Sequence, residues 1–304
     1  MSIIKLSSLS KIYDRFSAVN GVNIQIERGE ILGLIGHNGA GKTTTLKMMV
    51  GLLTPTTGTV EIMGQKLSGD SSAIKRIIGY LPEESPLYEN LTVQQYLLFF
   101  AELYQVPRKE AEKRIDELLE SLNFSGKTKY TGELSKGMKR KVAIARCLLH
   151  NPSILVLDEP NSGLDPLTSY FIIEYLKKLN SQGKTIVLSA HNLYHIEYIC
   201  HRVAIMKNGQ IYLCDTMDSI RRNLGKREYV VTFKTEARLD YPRQAENYVF
   251  KTENVSEIAS LLQTISDENW ALIDLSVNQS ALEDMYVKLM QDKGEKALVC
   301  SSEN

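Results

Sequence analysis

The segment GHNGAGKTT, from Gly36 to Thr44, carries glycine, lysine and threonine in the order G-x-x-x-x-G-K-[ST]. Glycines at 36, 39 and 41 leave no side chain in the way, so backbone N–H groups can point inward and cradle phosphate oxygens at the start of a helix. In such a loop Lys42 reaches the β and γ phosphates of a nucleoside triphosphate, and the Thr43 hydroxyl takes a place on Mg²⁺. Asn38, Gly39, Ala40, Gly41 and Thr44 complete the expected contact set. The acidic motif ILVLDEP at 154–160 supplies the partner that this loop needs. Its apolar run ends on Asp158, which is expected to hold the metal through water, and then on Glu159, placed to accept a proton from water attacking the γ phosphate. The plain alternatives are a glycine-rich turn before an ordinary helix and two charges capping a turn. Strand, loop and helix in sequence, with an acidic strand end downstream, favour the phosphate chemistry.

Those residues have to be held by particular elements. EILGLIG is a compact apolar run that breaks into glycines and then into KTTTLKMMVGLL, where Leu46, Met49, Val50 and Leu53 recur at helical spacing. Ahead of it, IIKLSSL and AVNGVNIQIERG predict short strands of an antiparallel sheet, with Val22, Ile24 and Ile26 alternating with polar positions. VQQYLLFFAELY and RKEAEKRIDELLESL predict two amphipathic helices broken near Pro107, within an inserted helical subdomain at about 85–150. ILVLD and TIVLSA are continuous apolar strands separated by a helix over Leu167 to Leu179, so both their faces must be covered in a mostly parallel sheet. RVAIM and GQIYLCD close this region as a hairpin around Asn208-Gly209. Beyond it, KREYVVTFKT, ENYVFKT and NWALIDLSVN predict strands, and VSEIASLLQTI and ALEDMYVKLMQD helices. The expected division is a catalytic domain at 1–225, a small α+β accessory domain at 226–292 and a tail at 293–304.

Five further motifs fall in a fixed order around the first two. KIYDRF contains Tyr13, GYLPEES contains Glu83, LSKGM at 134–138 precedes KRKVAIARCLL, SGLD spans 162–165, and LSAHN brings His191 to the end of a strand. With the phosphate loop and the acidic pair, this series resembles the ATP-binding subunits of ABC transporters over residues 3 to 220. The resemblance implies an α/β fold of the P-loop NTPase type: an ABC cassette with a mostly parallel sheet, an N-terminal antiparallel sheet and an inserted helical subdomain. It makes Tyr13 the ring that stacks on adenine, worth on the order of 1 kcal/mol, and His191 the switch histidine. LSKGM resembles the LSGGQ signature, with Ser135 and Gly137 matching and Lys136 and Met138 standing for Gly and Gln. Glu83 stands where most of the family has a glutamine, keeping an oxygen for metal or water but adding a charge. His195 and His201 match no motif and read as surface or packing residues.

The same resemblance implies ATP and Mg²⁺ as ligands and a head-to-tail dimer with a second copy of the chain, each signature closing on the partner's ATP. It also implies a separate transmembrane permease subunit and a place at the cytoplasmic face of the membrane. Glu83, the LSKGM form and QSALEDMYVKL point to the drug, sodium and antibiotic exporter type. An importer subunit has the same chemistry and remains the alternative. A soluble ABC ATPase acting on nucleic acid or ribosomes fits less well, because tandem cassettes, a long coiled-coil insertion and zinc modules are all missing from this sequence. A catalytically silent regulatory subunit is disfavoured by the presence of Lys42, Asp158, Glu159 and His191.

Bulk composition agrees. Lys plus Arg equals Asp plus Glu at 36 each, so no nucleic-acid partner is expected. Cys147, Cys200, Cys214 and Cys300 lie far apart without a CxxC pair, which suggests neither a zinc site nor a disulfide framework. Apolar runs stay short of the roughly 18 to 20 residues needed to span a bilayer, and Tyr96 to Ala101, the richest, gives way to Glu102.

Overall fold

The computed structural model describes residues 2–68, 72–190 and 192–291. His191 and the tail expected at 293–304 lie outside the described residues. The chain divides into two compact units, with the break between Met217 and Asp218.

In the first unit, β1 (Ser2–Tyr13) and β2 (Phe16–Glu27) form a long antiparallel hairpin. Val22, Ile24 and Ile26 are its buried alternating set. β1 runs beyond the short strand that IIKLSSL suggests. Bulges around Ser8 let it continue through Lys11 and Ile12 to Tyr13, which pairs with Phe16 at the hairpin tip. β3 (Ile31–Ile35) is buried along its whole length and feeds, through the glycine-rich loop, into α1 (Lys42–Met49). β4 (Thr57–Ile62) and β5 (Gln65–Lys66) complete a four-stranded sheet in the order β2-β1-β4-β5.

After α2 (Ser72–Lys75) and β6 (Ile78–Leu81) come the helices of the subdomain. α3 (Val93–Leu103) starts on a capping box: Gln95 N–H donates to the Thr92 hydroxyl at 3.2 Å, and the Gln95 side chain accepts from Thr92 N–H at 2.9 Å. Pro107 occupies the N-cap of α4 (Arg108–Ser121), so the break between these helices falls where the sequence places it. α5 (Lys136–Leu148) packs against both. β7 (Ile154–Leu157), α6 (Pro166–Ser181), β8 (Thr185–Ser189), α7 (Leu193–Ile199) and β9 (Arg202–Lys207) then alternate. β10 (Gln210–Thr216) returns antiparallel on β9 through a turn with Asn208 at φ 49° and Gly209 at φ 79°.

The central sheet has the order β10-β9-β3-β8-β7-β6, and all its strands but β10 are parallel. β3, β7 and β8 are fully buried, as strands covered on both faces must be. The loops leaving the carboxyl ends of β3, β6, β7 and β8 therefore gather on one edge of the sheet, where ligands of open parallel sheets bind.

The helix α8 (Met217–Leu224), which the sequence reading passes over, carries the boundary at its first residue. Beyond it, the second unit sets β11 (Arg227–Lys234), β12 (Arg243–Gln244), β13 (Asn247–Thr252) and β14 (Ala271–Gln279) in the order β12-β13-β11-β14, all antiparallel. α9 (Val255–Asp267) covers one face, burying Ile258, Leu261 and Ile265 against Val231, Phe233 and Tyr248. Trp270 stacks on Phe233 with ring centroids 5.3 Å apart. α10 (Leu282–Gln291) ends the described chain.

Candidate functional site

Glycine is required at two points of the loop after β3. At Gly41 the backbone has φ 104° and an added Cβ would lie 2.5 Å from the Ala18 carbonyl oxygen; at Gly36 it would lie 2.4 Å from that of Met206. Gly41 is the N-cap of α1, so the first N–H groups of that helix open onto the loop. Lys42 is buried and its Nζ donates to the carbonyls of Gly36 at 2.7 Å and His37 at 3.3 Å. Burial pushes its pKa down, while the carboxylates of Glu159, Asp158 and Glu83, in that order, pull it back up.

A cleft of about 480 Å³ opens over this loop. Asn38 to Thr44 form its floor; Tyr13, Phe16 and Ala18 enter from the β1–β2 hairpin, Glu83 from the segment after β6 and Glu159 from that after β7. The rings of Tyr13 and Phe16 are exposed, at 46% and 64%, so neither is spent on packing. The Lys11 ammonium lies 5.2 Å from the Tyr13 ring centroid.

Asp158 and Glu159 are both buried. Ser189, at the end of β8, holds the pair: its hydroxyl donates to Asp158 Oδ1 at 2.6 Å and accepts from Glu159 N–H at 3.0 Å. Glu159 has φ 50°, a left-handed backbone that turns the chain sharply after the strand. Asp158 Oδ2 is buried without a hydrogen-bond partner among the described residues. A buried carboxylate oxygen left open is costly unless a cation meets it. Together with the Thr43 hydroxyl in the cleft floor, it is a donor set of hard oxygens that fits Mg²⁺.

One residue that organises the site was not found from the sequence. Arg140 is buried and donates to five backbone carbonyls: Nε to Pro160 at 2.8 Å, Nη1 to Pro82 and Glu83 at 2.9 Å each, and Nη2 to Asp158 at 3.0 Å and Glu159 at 2.5 Å. It ties the Glu83 segment to the acidic loop. Phe16 and Ser189 were missed as well.

The signature residues lie elsewhere. Ser135 caps α5, its hydroxyl accepting from Met138 N–H at 3.3 Å, and Gly137 sits against Thr168 of α6. Neither lines the cleft over the chain's own phosphate loop. Lys136 crosses directly over Gly163, where a Cβ would fall 1.9 Å from its Nζ. Asp165 caps α6 by accepting from Thr168 N–H at 3.0 Å, and the Thr168 hydroxyl first, then that N–H, hold its carboxyl below the usual range. His195 Nδ1 lies 3.2 Å from Asn161 Nδ2, and His201 Nδ1 accepts from Ile31 N–H at 3.0 Å.

Known proteins resemble this arrangement. The sequence profile of the family described as ABC transporter matches residues 19–162. The bacitracin transport ATP-binding protein BcrA of Bacillus licheniformis is 33% identical over 95% of this chain and 97% of its own length. The linearmycin resistance ATP-binding protein LnrL of Bacillus subtilis is 28% identical over 94% and 98%. Among solved structures, an ATP-binding subunit of an ABC transporter is 35% identical over 73% of this chain and 92% of that one, with a TM-score of 0.67. A dimeric ATP-binding cassette in a post-hydrolysis state, bound to ADP and Pi, is 30% identical over 70% and 98%, with a TM-score of 0.65.

Proposed function

The chain belongs to the ABC transporter family as an ATP-binding subunit with ABC-type ATPase activity, and from that premise we propose that it drives export, closing as a head-to-tail pair on two ATP beneath a separate membrane subunit. The observation that carries this reading is the division of the site. The phosphate loop, Tyr13, Glu83 and Glu159 share one cleft, while Ser135 and Gly137, whose donors the γ phosphate needs in this family, lie outside it. A second copy would bring them. That the similar cassette bound to ADP and Pi is dimeric supports this.

Within the cleft, Lys42 and the N–H groups of residues 39–43 hold the phosphates, and the Tyr13 ring, flanked by Phe16, stacks on adenine. Thr43 and Asp158 would hold Mg²⁺, which neutralises charge on the β and γ phosphates when bound. Glu159 takes the proton from the attacking water, and the Ser189 hydroxyl and Arg140 fix its backbone for that task. Ser135 and Gly137 of the second copy stabilise charge on the γ phosphate, and His191 joins them by resemblance. Export is supported by the bacitracin transport and linearmycin resistance of the relatives named above. No helix among the described residues is long and apolar enough to cross a membrane, which accords with a peripheral subunit docked on a permease at the cytoplasmic face.

The composite site has a direct test. Lys42→Ala should silence the loop of a subunit and Ser135→Arg its signature, so each variant alone should be inactive. Mixed, they form some dimers in which one intact loop meets one intact signature, and ATP turnover should return to roughly a quarter of wild type or less. Mixing that restores nothing, or a Ser135→Arg chain that hydrolyses ATP normally, would remove the head-to-tail reading.

A further inference from the structure

The second unit holds a cleft of its own, of about 800 Å³, at the junction of α8 and β11. Its walls carry Arg221, Arg222, Lys226 and Arg227 with Asp218 and the Ser280 hydroxyl, while the chain as a whole is neutral. The local excess of positive charge is therefore a property of this place and not of the composition.

The backbone builds this convergence. Gly225 turns the chain so tightly that an added Cβ would lie 2.4 Å from the Arg221 carbonyl oxygen, and its N–H donates to that same oxygen at 3.0 Å. This turn folds Lys226 and Arg227 back beside the last turn of α8. Ser280 then fixes the far side: Lys226 N–H donates to its hydroxyl at 3.1 Å, and Ser280 N–H donates to the Lys226 carbonyl at 3.1 Å.

Two of the cations are answered by carboxylates, Arg221 by Asp218 at 3.9 Å and Lys226 by Glu253 at 2.7 Å. The other two are not. Arg222 gives a hydrogen bond to the Asp218 carbonyl at 3.3 Å but has no ion pair among the described residues, and neither does Arg227. Arginines in the last turn of a helix also complement its dipole. That accounts for Arg221 and Arg222, but not for Lys226 and Arg227 returning to the same cleft from the strand side. Two guanidinium forks beside an ammonium match the several oxygens and the double charge of a phosphate group better than a single carboxylate. The charged lining disfavours an apolar ligand.

We propose that the α8–β11 cleft binds a phosphate-bearing anion, the headgroup of an anionic phospholipid or a soluble polyphosphate. The site is independent of the nucleotide cleft, since all its residues belong to the second unit.

The test uses the full chain with its nucleotide cleft saturated by ADP. Its binding is measured to vesicles of phosphatidylglycerol in phosphatidylcholine, to phosphatidylcholine vesicles alone, and, by calorimetry, to pyrophosphate. Wild type should bind one or both anionic probes, more weakly as salt rises, and should ignore neutral vesicles. Arg222→Gln with Arg227→Gln should weaken that binding at least tenfold while ADP affinity stays unchanged, and Arg222→Lys with Arg227→Lys, which keeps both charges but loses the forks, should weaken it less. Anionic vesicles without pyrophosphate identify a lipid headgroup; pyrophosphate without vesicles identifies a soluble phosphoanion. A wild type that binds neither probe, or a Gln pair that binds as wild type does, overturns the proposal.

Discussion

Ser189 and Arg140 never touch the phosphates in the proposed reading, yet both hold the groups that do. Ser189 offers one hydroxyl to two neighbours, and Arg140 gathers five carbonyls from two loops. Replacing Arg140 by Met keeps an apolar stem of similar reach but leaves buried carbonyls without donors. The expected cost is on the order of 3 kcal/mol, read as a lower urea midpoint for the cassette. Turnover should fall further than nucleotide affinity, because the loops that lose their tie carry Glu83 and Glu159. Wild-type stability and turnover together would contradict this. At this scale the sequence was legible where a motif fixes a residue by its neighbours, as at Lys42, Asp158 and Glu159. Arg140 hid in the basic run 139–141, which reads as a solvated face. Its signal was periodicity: Arg140, Ala143, Ile144 and Cys147 form one buried stripe of α5. Phe16 and Ser189 gave no local signal, since an exposed ring and a strand-end serine acquire roles only when the hairpin and β8 come beside the loop.

Among the elements, the helices of the subdomain meet the central sheet through His150, just past α5. Its Nε2 donates to the Ile78 carbonyl of β6 at 3.0 Å, its ring stacks on Tyr104 at 3.9 Å between centroids, and Nδ1 is buried without a partner among the described residues. Burial lowers its pKa from the ordinary 6.5; the Ile78 carbonyl opposes this, and the nearby Lys184 and Arg114 add to the lowering. The unfolded chain thus binds a proton here more readily than the folded one. Stability from this site is complete above pH about 6.5 and is lost as the pH falls below it towards the folded pKa. His150→Phe, which keeps the stacking, should flatten the decline of the cassette's melting temperature between pH 6.5 and 5. An unchanged slope would assign the decline to other groups. Element order was readable because continuous apolar runs and helical periods differ over this length. Alternation alone marks β1 too short, since its bulges break the strict pattern, and α8 is hard to see because MDSIRRNL offers only three apolar residues, Met217, Ile220 and Leu224, between hairpin and strand.

For the whole molecule, the two units differ in what they can bury. The first closes a core drawn from both its sheets and α1, including Leu6, Ile26, Leu46 and Val187, all nearly inaccessible. The second rests on Val231, Phe233, Tyr248, Ile258, Leu261 and Ile265, with Trp270 packed at the side, and its β14 leaves Leu275 and Val277 about half exposed at the sheet edge. A domain of that size gains little from burial beyond what ordering its chain costs. It should therefore melt on its own and at the lower temperature. Calorimetry of the full chain should give two transitions, because separate cores make a single all-or-none unfolding unnecessary. ATP with Mg²⁺ should raise only the upper one, since a ligand stabilises the unit that binds it: at a hundredfold excess over its dissociation constant the gain is about 2.7 kcal/mol. A chain ending at Met217 should lose the lower transition, keep the upper one and bind ATP as before. One transition that moves as a whole with ATP, or a shortened chain that fails to fold, would make the second unit part of the catalytic core. If the shortened chain also keeps full binding to the anionic probe, the proposed cation cleft is overturned, because every residue that lines it has been removed, and the two results can be told apart in one preparation.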